Sequence, residues 1–236
     1  MPNRSHAIIW KAVATLAAAV LVGACSSDTS DTRTITLTFV RHAQSVSNAE
    51  QVLNTAVPGP SLTPDGEKQA QEIATELGRD DIDGIYASAM ARAQQTAAPL
   101  SKDLSEPVDV LPGLNEIDAG WFEGEPMDRA EDTYLVAPMD WLRGYHDFSI
   151  PGSVSGNKFN EEFGAAVQKI YDSGDSDPVA FSHGAAIMFW TQMNVKNPKH
   201  SLVTAHPLPN GGRVVIEGSP GTGWTLMDWD GIQKFH

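Results

Sequence analysis

The sequence has little of three things that would each indicate a particular class of protein. It contains one cysteine, Cys25, so no disulfide can form within the chain and the core must stabilise the fold. It has 16 lysines and arginines but 30 aspartates and glutamates, so its net charge is −14, and the basic residues form no cluster in the sequence. No nucleic-acid partner is expected, because proteins that bind nucleic acids carry a basic face. It also lacks internal repeats, and its 236 residues suit one ordinary domain.

Long hydrophobic runs are missing too, although a short one occurs near the start. Residues 12–22 are almost entirely apolar, whereas a membrane-spanning helix needs about 20 apolar residues. Positive residues precede this run, and small residues lead directly to Cys25. The segment resembles a bacterial lipoprotein signal, in which residues 1–24 are removed and Cys25 becomes the lipidated first residue. An ordinary signal peptide followed by an incidental cysteine is the alternative.

The stretch after the cysteine is polar. Residues 25–33 consist mainly of Ser, Asp and Thr and offer nothing to bury, so they are predicted to form a flexible tether. The folded domain is expected to cover residues 34–236. The lipoprotein interpretation predicts a protein outside the cytoplasm, anchored to a bacterial membrane through the lipid on Cys25.

Hydrophobic patterning predicts alternating strands and helices in that domain. Such alternation is typical of an α/β fold with a mostly parallel central sheet and helices on both faces. The last two strands are expected to close one edge as an antiparallel hairpin, and Pro99 is expected to kink or end its helix. Residues 124–157 are predicted to form an irregular insertion over the active-site face. Strands are predicted at residues 34–40, 85–88, 108–111, 178–182, 213–217 and 224–229, and helices at residues 64–77, 89–104, 159–171 and 185–193.

Residues suited to phosphate chemistry follow the predicted strands. Arg41 and His42 follow the first strand, Arg92 the second and His183 the fourth, with Glu116 in a loop between them. Ligands bind at the carboxyl ends of such strands. Arginine presents a planar fork that matches phosphate oxygens, an unprotonated histidine can attack phosphorus, and a carboxylic acid can protonate a leaving alkoxide. The sequence therefore predicts a phosphoryl-transfer site at this edge.

These residues lie in motifs that resemble the histidine phosphatase superfamily, which includes cofactor-dependent phosphoglycerate mutases and many phosphatases. The resemblance covers residues 36 to about 217 and implies a phosphoglycerate mutase-like fold. The motifs occur in the family's order at Phe39–Ser45 with Asn48, Leu62–Ala70, Ser88–Thr96, Leu114–Glu116 continuing to Gly124, Ser182–Gly184 and Pro209–Gly212.

The resemblance implies a role for each residue of the set. His42 is the nucleophile that receives the phosphoryl group, and Glu116 is the proton donor, with nearby Glu123 as the alternative donor. The sequence departs from the family at Ala43, where the family usually has glycine. An alanine there would be strained if the backbone φ were positive. Arg41, Arg92 and His183 would bind the phosphate, and Asn48 would add a hydrogen bond to it.

The expected function is hydrolysis of a phosphomonoester, on a small molecule or a protein, through phosphohistidine on His42. No metal-ligand spacing occurs, so no metal or other cofactor is expected. Two alternatives remain open: a phosphoglycerate-type mutase, and a non-catalytic surface lipoprotein that binds a ligand. Neither the particular substrate nor the oligomeric state can be predicted from these residues.

Overall fold

The computed structural model describes Met1 and residues 33–235. The predicted signal peptide beyond Met1, the proposed lipidation site Cys25 and the tether up to residue 32 lie outside the described residues, as does His236. No helix among the described residues is long and apolar enough to cross a membrane.

A six-stranded sheet forms the centre of the domain and confirms the predicted α/β class. Its strand order is β3-β2-β4-β1-β5-β6. Strands β1 to β4 run parallel, β5 pairs antiparallel with β1, and β6 closes the hairpin with β5. The register pairs Arg41 with Ser182 and Ala87 with Phe181, so the ends of three parallel strands lie side by side. The strands are β1 Ile35–Arg41, β2 Ile85–Ala87, β3 Val108–Val110, β4 Val179–Ser182, β5 Arg213–Ser219 and β6 Gly223–Trp229.

The helices begin and end where local chemistry dictates. The second helix, for example, starts after Thr63, whose hydroxyl accepts a hydrogen bond from the Gly66 amide at 2.9 Å, with Pro64 in its first position. The helices are α1 Val46–Ala49, α2 Pro64–Leu77, α3 Ala91–Leu104, α4 Val136–Trp141, α5 Gly156–Asp172, α6 Gly184–Asn194 and α7 Ser201–Ala205.

Alternation along the strands builds a separate hydrophobic core on each face of the sheet. In β1, Leu37 and Phe39 belong to one core, which α5 and α6 cover, while Val40 belongs to the other, which α2 and α3 cover. The period of two in a strand places successive side chains on opposite faces. Both faces are therefore buried, and the polar residues of the site are left to the strand ends.

Two local features differ from the sequence-based expectation. Helix α3 continues through Pro99 instead of ending there, because Leu100 is fully buried with Ala93 and Ala97 and this packing holds the last turn. The segment 124–157, expected to be irregular, contains a 3₁₀ helix at Met127–Asp132 and the short helix α4. The hydrophobic pattern does not predict these short helices, because neither is long enough to show a helical period.

Candidate active site

The ends of the parallel strands bring four of the selected residues together. Arg41 ends β1, His42 follows it, His183 follows β4, and Arg92 lies in the first turn of α3 after β2. The rings of His42 and His183 are 5.0 Å apart between centroids. Arg92 Nε lies 2.9 Å from His42 Nε2. Residues up to 142 positions apart in the sequence thus form one cluster because parallel strands end at the same edge.

The hydrogen bonds of His42 fix which ring nitrogen carries the proton. Arg92 Nε donates to Nε2 at 2.9 Å, and a guanidinium has no acceptor, so Nε2 must be unprotonated. Nδ1 therefore carries the hydrogen, which it donates to the Ala43 carbonyl at 2.7 Å. Burial, and then the charges of Arg92 and Arg41, lower the pKa of His42 well below its usual range. The ring is held neutral, and its Nε2 lone pair accepts the hydrogen bond from Arg92.

His183 is fully buried behind His42. Its Nε2 is hydrogen-bonded to Ser88 Oγ at 2.8 Å, and its buried Nδ1 has no hydrogen-bond partner among residues 33–235. Burial, with smaller contributions from Arg92, His42 and Arg41, lowers its pKa well below the usual range. The ring contacts His42 and is not part of the cavity surface. Its predicted phosphate contact therefore needs the phosphoryl group to approach the His42 ring closely.

The two arginines are held by backbone carbonyls and lack a carboxylate partner. Arg41 Nη1 donates to the Leu208 carbonyl at 2.5 Å, and Arg92 Nη2 donates to the Asn54 carbonyl at 3.0 Å. Arg92 is only 2% exposed, yet within residues 33–235 neither guanidinium makes an ion pair. Buried charges are ordinarily paired, so two unpaired guanidiniums beside one cavity indicate a binding site for an anion.

The glycine after His183 makes room for one of these guanidiniums. A side chain at Gly184 would place its first carbon 3.3 Å from Arg41 Nε. Gly184 also begins α6, so Arg41 lies against the start of this helix. A larger residue here would therefore force the Arg41 side chain to shift by a few tenths of an ångström.

Glu116 lies in the wall of the same cavity. Its Oε1 accepts hydrogen bonds from the amides of Ala186 at 2.8 Å and Ile117 at 3.0 Å, and Oε2 accepts one from Ala185 at 3.3 Å. These bonds and the two arginines favour the carboxylate, but burial has the larger effect and raises the pKa of Glu116. The raised pKa favours the protonated form of Glu116, which is the form that can donate a proton.

Glu123, the alternative proton donor, occupies a different place. Its carboxylate accepts hydrogen bonds from the Thr55 hydroxyl at 2.7 Å and from the amides of Thr55 and Ala56. It does not line the cavity that contains His42 and Glu116. Glu123 therefore holds the loop around Thr55 in place.

Asn48 contributes to the site through a polar network that the sequence analysis only partly identified. Its Oδ1 accepts from Asn210 Nδ2 at 3.0 Å and from the Ser45 amide at 3.2 Å, which leaves its NH₂ group as the available donor. Asn210 also donates to the His42 carbonyl at 3.0 Å. Asn210 and Ser88 received no role from the sequence, although both lie in motifs that carried the resemblance.

Alanine fits the backbone at position 43, where the family usually has glycine. Its φ is not positive, and its side chain is fully buried in the core that α2 and α3 cover. Its amide donates to Thr96 Oγ1 at 3.0 Å. The methyl group therefore fits an ordinary backbone conformation without strain.

The cavity at this edge has a volume of about 150 Å³. A larger groove of about 940 Å³ lies between α2 and the β5–β6 hairpin, but it contains neither histidine and neither arginine of the cluster. Within residues 33–235, no group of three or more His, Cys, Asp or Glu side chains could hold a metal. The cavity is lined by Arg41, His42, Ser47, Asn48, Val52, Leu53, Asn54, Thr55, Arg92, Glu116, Met127, Ala130, Tyr134, Leu135, Gly184, Ala185, Met188, Pro207 and Leu208.

Comparison with known proteins matches a family model over most of the chain. Residues 37–230 match the histidine phosphatase superfamily (branch 1). Over 216 residues, 85% of this chain, the sequence is 45% identical to PE-PGRS family protein PE_PGRS11 of Mycobacterium tuberculosis. The chain spans only 37% of the length of that protein.

Other relatives are named after two different activities, those of a phosphatase and of a mutase. The chain is 26% identical to putative phosphoserine phosphatase 2 of Hydrogenobacter thermophilus, over 64% of this chain and 74% of that protein. It is 29% identical to a probable phosphoglycerate mutase of Cronobacter sakazakii, over 63% of this chain and 69% of that protein. Among solved structures, a mycobacterial glucosyl-3-phosphoglycerate phosphatase shares the fold, with a TM-score of 0.69 and 20% identity over 84% of this chain and all of that one.

Proposed function

The chain belongs to the histidine phosphatase superfamily (branch 1), and from this membership and the site geometry we propose that it is a phosphomonoester hydrolase. One observation carries the proposal: an unprotonated His42 Nε2 lies beside buried Arg92 and half-buried Arg41, and neither arginine makes an ion pair within residues 33–235. An anion bound between Arg41 and Arg92 would present its central atom to the lone pair of His42. A phosphoryl group fits this requirement in charge and in its match to arginine.

In the first step, His42 Nε2 attacks phosphorus and forms a P–N bond while the bond from phosphorus to the ester oxygen breaks. The hydrogen bond from Arg92 Nε is transferred from Nε2 to a phosphoryl oxygen, which frees the lone pair. Glu116 gives its proton to the departing oxygen. Two guanidiniums stabilise the charge on the phosphoryl oxygens.

In the second step, water replaces the alcohol product and attacks phosphorus from the side that the alcohol left. Glu116, now a carboxylate, accepts a proton from this water. The P–N bond breaks, inorganic phosphate departs, and His42 regains its neutral Nε2. Between the two steps, hydrogen bonds from the backbone amides of Ala185 and Ala186 stabilise the Glu116 carboxylate.

The test is to trap the phosphoenzyme. His42→Ala should abolish turnover and labelling, while the wild type should carry acid-labile, alkali-stable phosphate after mixing with a labelled phosphomonoester. His200→Ala is the matched control, since His200 is exposed and is not among the residues that line the cavity. Turnover by the His42→Ala variant at the wild-type rate would end the proposal.

A phosphoglycerate-type mutase is the second candidate, because three relatives carry that name. A mutase would return the phosphoryl group from His42 to a substrate hydroxyl instead of to water. Measuring released inorganic phosphate against phosphoglycerate isomerisation separates the two activities. The third possibility, a non-catalytic ligand-binding lipoprotein, predicts phosphate binding without any phosphohistidine.

We further propose that Cys25 carries the lipid that anchors the domain to the outer side of a bacterial membrane. The support is the sequence before Cys25, which lies outside the described residues. The chain enters the domain just before β1, and His42 lies at the other end of this strand, about 20 Å away. Cys25→Ser should release the protein from membranes without changing its specific activity. Failure of labelled fatty acid to attach to the wild type would refute the anchor.

A further inference from the structure

We propose that the leaving group of the substrate is compact and uncharged, with an apolar face, and that phosphomonoesters bearing a carboxylate are poor substrates. This inference rests on the proposed phosphatase function and extends it to the substrate class. It comes from the cavity walls outside the phosphate-binding cluster.

Charge around the cavity is confined to the residues that act on the phosphoryl group. Apart from Tyr134, whose phenol pKa burial raises, the only ionisable lining residues are Arg41, His42, Arg92 and Glu116. A carboxylate on the leaving group would find no further cation among the lining residues. It would have to lose water in the cavity without gaining a partner, so desolvation would disfavour its binding.

The remaining walls are mostly apolar. They come from four separate segments, which are the loop at 52–53, the stretch 127–135, the start of α6, and residues 207–208 before β5. The hydroxyl of Tyr134, a buried lining residue, already donates to the Ile117 carbonyl at 2.8 Å. Their apolar lining residues are Val52, Leu53, Met127, Ala130, Leu135, Met188, Pro207 and Leu208.

Backbone pairing makes part of this wall rigid. The Leu53 amide donates to the Glu125 carbonyl at 2.9 Å, the Gly124 amide to the Leu53 carbonyl at 3.0 Å, and the Met127 amide to the Gln51 carbonyl at 2.8 Å. The bond from Thr55 to the Glu123 carboxylate holds the adjoining loop. Arg129, the one cation of the stretch 127–135, is exposed, does not line the cavity and is paired with the Glu125 carboxylate at 3.2 Å.

The cavity volume limits the size of the leaving group. At about 150 Å³ the cavity is smaller than the roughly 300–1,000 Å³ that is usual for ligand pockets. Such a volume suits a phosphoryl group with a small aryl or alkyl portion. The half-buried side chains of Met127 and Leu135 border the space that this portion would occupy.

The test compares two aryl phosphates of nearly equal size, 4-carbamoylphenyl phosphate and 4-carboxyphenyl phosphate. The carbamoyl compound should have a kcat/KM at least about tenfold higher than the carboxy compound, because the carboxylate must lose water without gaining a partner. Met127→Lys would supply the missing cation, with Met127→Gln as the uncharged control of similar length. Relative to that control, the lysine variant should shift the ratio of the two kcat/KM values about tenfold or more towards the carboxylate.

The comparison between the two Met127 variants cancels any difference in the intrinsic reactivity of the esters. Equal kcat/KM values for the two esters in the wild type, or no shift with lysine, would overturn the assigned substrate class. Turnover of both esters at equal rates would still leave the phosphatase function standing. If neither ester were hydrolysed and no phosphohistidine formed with either, the proposed function itself would fail.

Discussion

Glu116→Gln separates proton donation from every other role of this side chain. Glutamine has the same shape, and its carbonyl oxygen can replace Oε1 in accepting from the amides of Ile117 and Ala186. The one bond that is lost is the 3.3 Å contact from the Ala185 amide to Oε2. That loss should lower the free energy of unfolding by about 1 kcal/mol at most. The variant should therefore fold and bind substrate, but it has no proton to donate.

The expected kinetic effect depends on the leaving group. An alkyl phosphate must lose a poor leaving group, so its kcat/KM should fall by about 10²–10⁴-fold, the usual contribution of a general acid. This corresponds to about 3–5 kcal/mol of transition-state stabilisation. An aryl phosphate such as p-nitrophenyl phosphate releases a stable anion and should lose far less. The assay measures kcat/KM for both esters with the wild type and the variant, because this constant reports on phosphoenzyme formation and not on its hydrolysis, in which Glu116 acts as a base for both esters.

Glu123→Gln is the matched control, because this carboxylate binds Thr55 and does not line the cavity. It should loosen the loop around Thr55 and depress both esters by a similar factor. The reasoning would be refuted if Glu116→Gln depressed the alkyl and aryl esters equally. It would also be refuted if Glu123→Gln showed the selective loss on the alkyl ester.

Three further predictions follow from the cluster. In ligand-free protein the His42 ring should stay neutral as the pH falls through 6.5 and become protonated only at lower pH, because burial and the two arginines lower its pKa. Histidine NMR titration measures this, and the His42→Ala variant identifies the His42 signal. Arg92→Lys should lower kcat/KM about 100-fold or more, since lysine cannot contact the phosphoryl group with a fork. Ala43→Gly should keep the kcat/KM near wild type but lower the free energy of unfolding by about 1 kcal/mol, because φ is not positive there and a buried methyl is lost; thermal denaturation measures this loss.

Each of these has an outcome that would contradict it. A His42 ring already charged above pH 6.5 would remove the unprotonated nucleophile. Full activity in Arg92→Lys would mean that charge alone, without the forked geometry, is sufficient. A large rise in activity with Ala43→Gly would show that the methyl group distorts the pocket.

Much of the fold was predictable because its signals are local. The cap at Thr63 and the glycine after Leu77 marked both ends of α2 without any knowledge of its neighbours. Pro99 was misleading for the opposite reason, because the burial of Leu100 in the tertiary core keeps α3 intact beyond it. The short helices in the segment 124–157 depend on packing against the rest of the domain and have little sequence signal of their own.

The sequence by itself determined which chemical groups would be present and at which edge of the sheet they would lie. Strand ends are set by hydrophobic alternation, and the residues that follow them, His42 and His183 among them, therefore share one edge. The tertiary structure alone decided the protonation of His42, which depends on Arg92, 50 residues away. It also gave Glu116 a place in the cavity and Glu123 a place on the loop of Thr55. These outcomes depend on distances and burial between separate segments, and no local pattern of residues encodes either quantity.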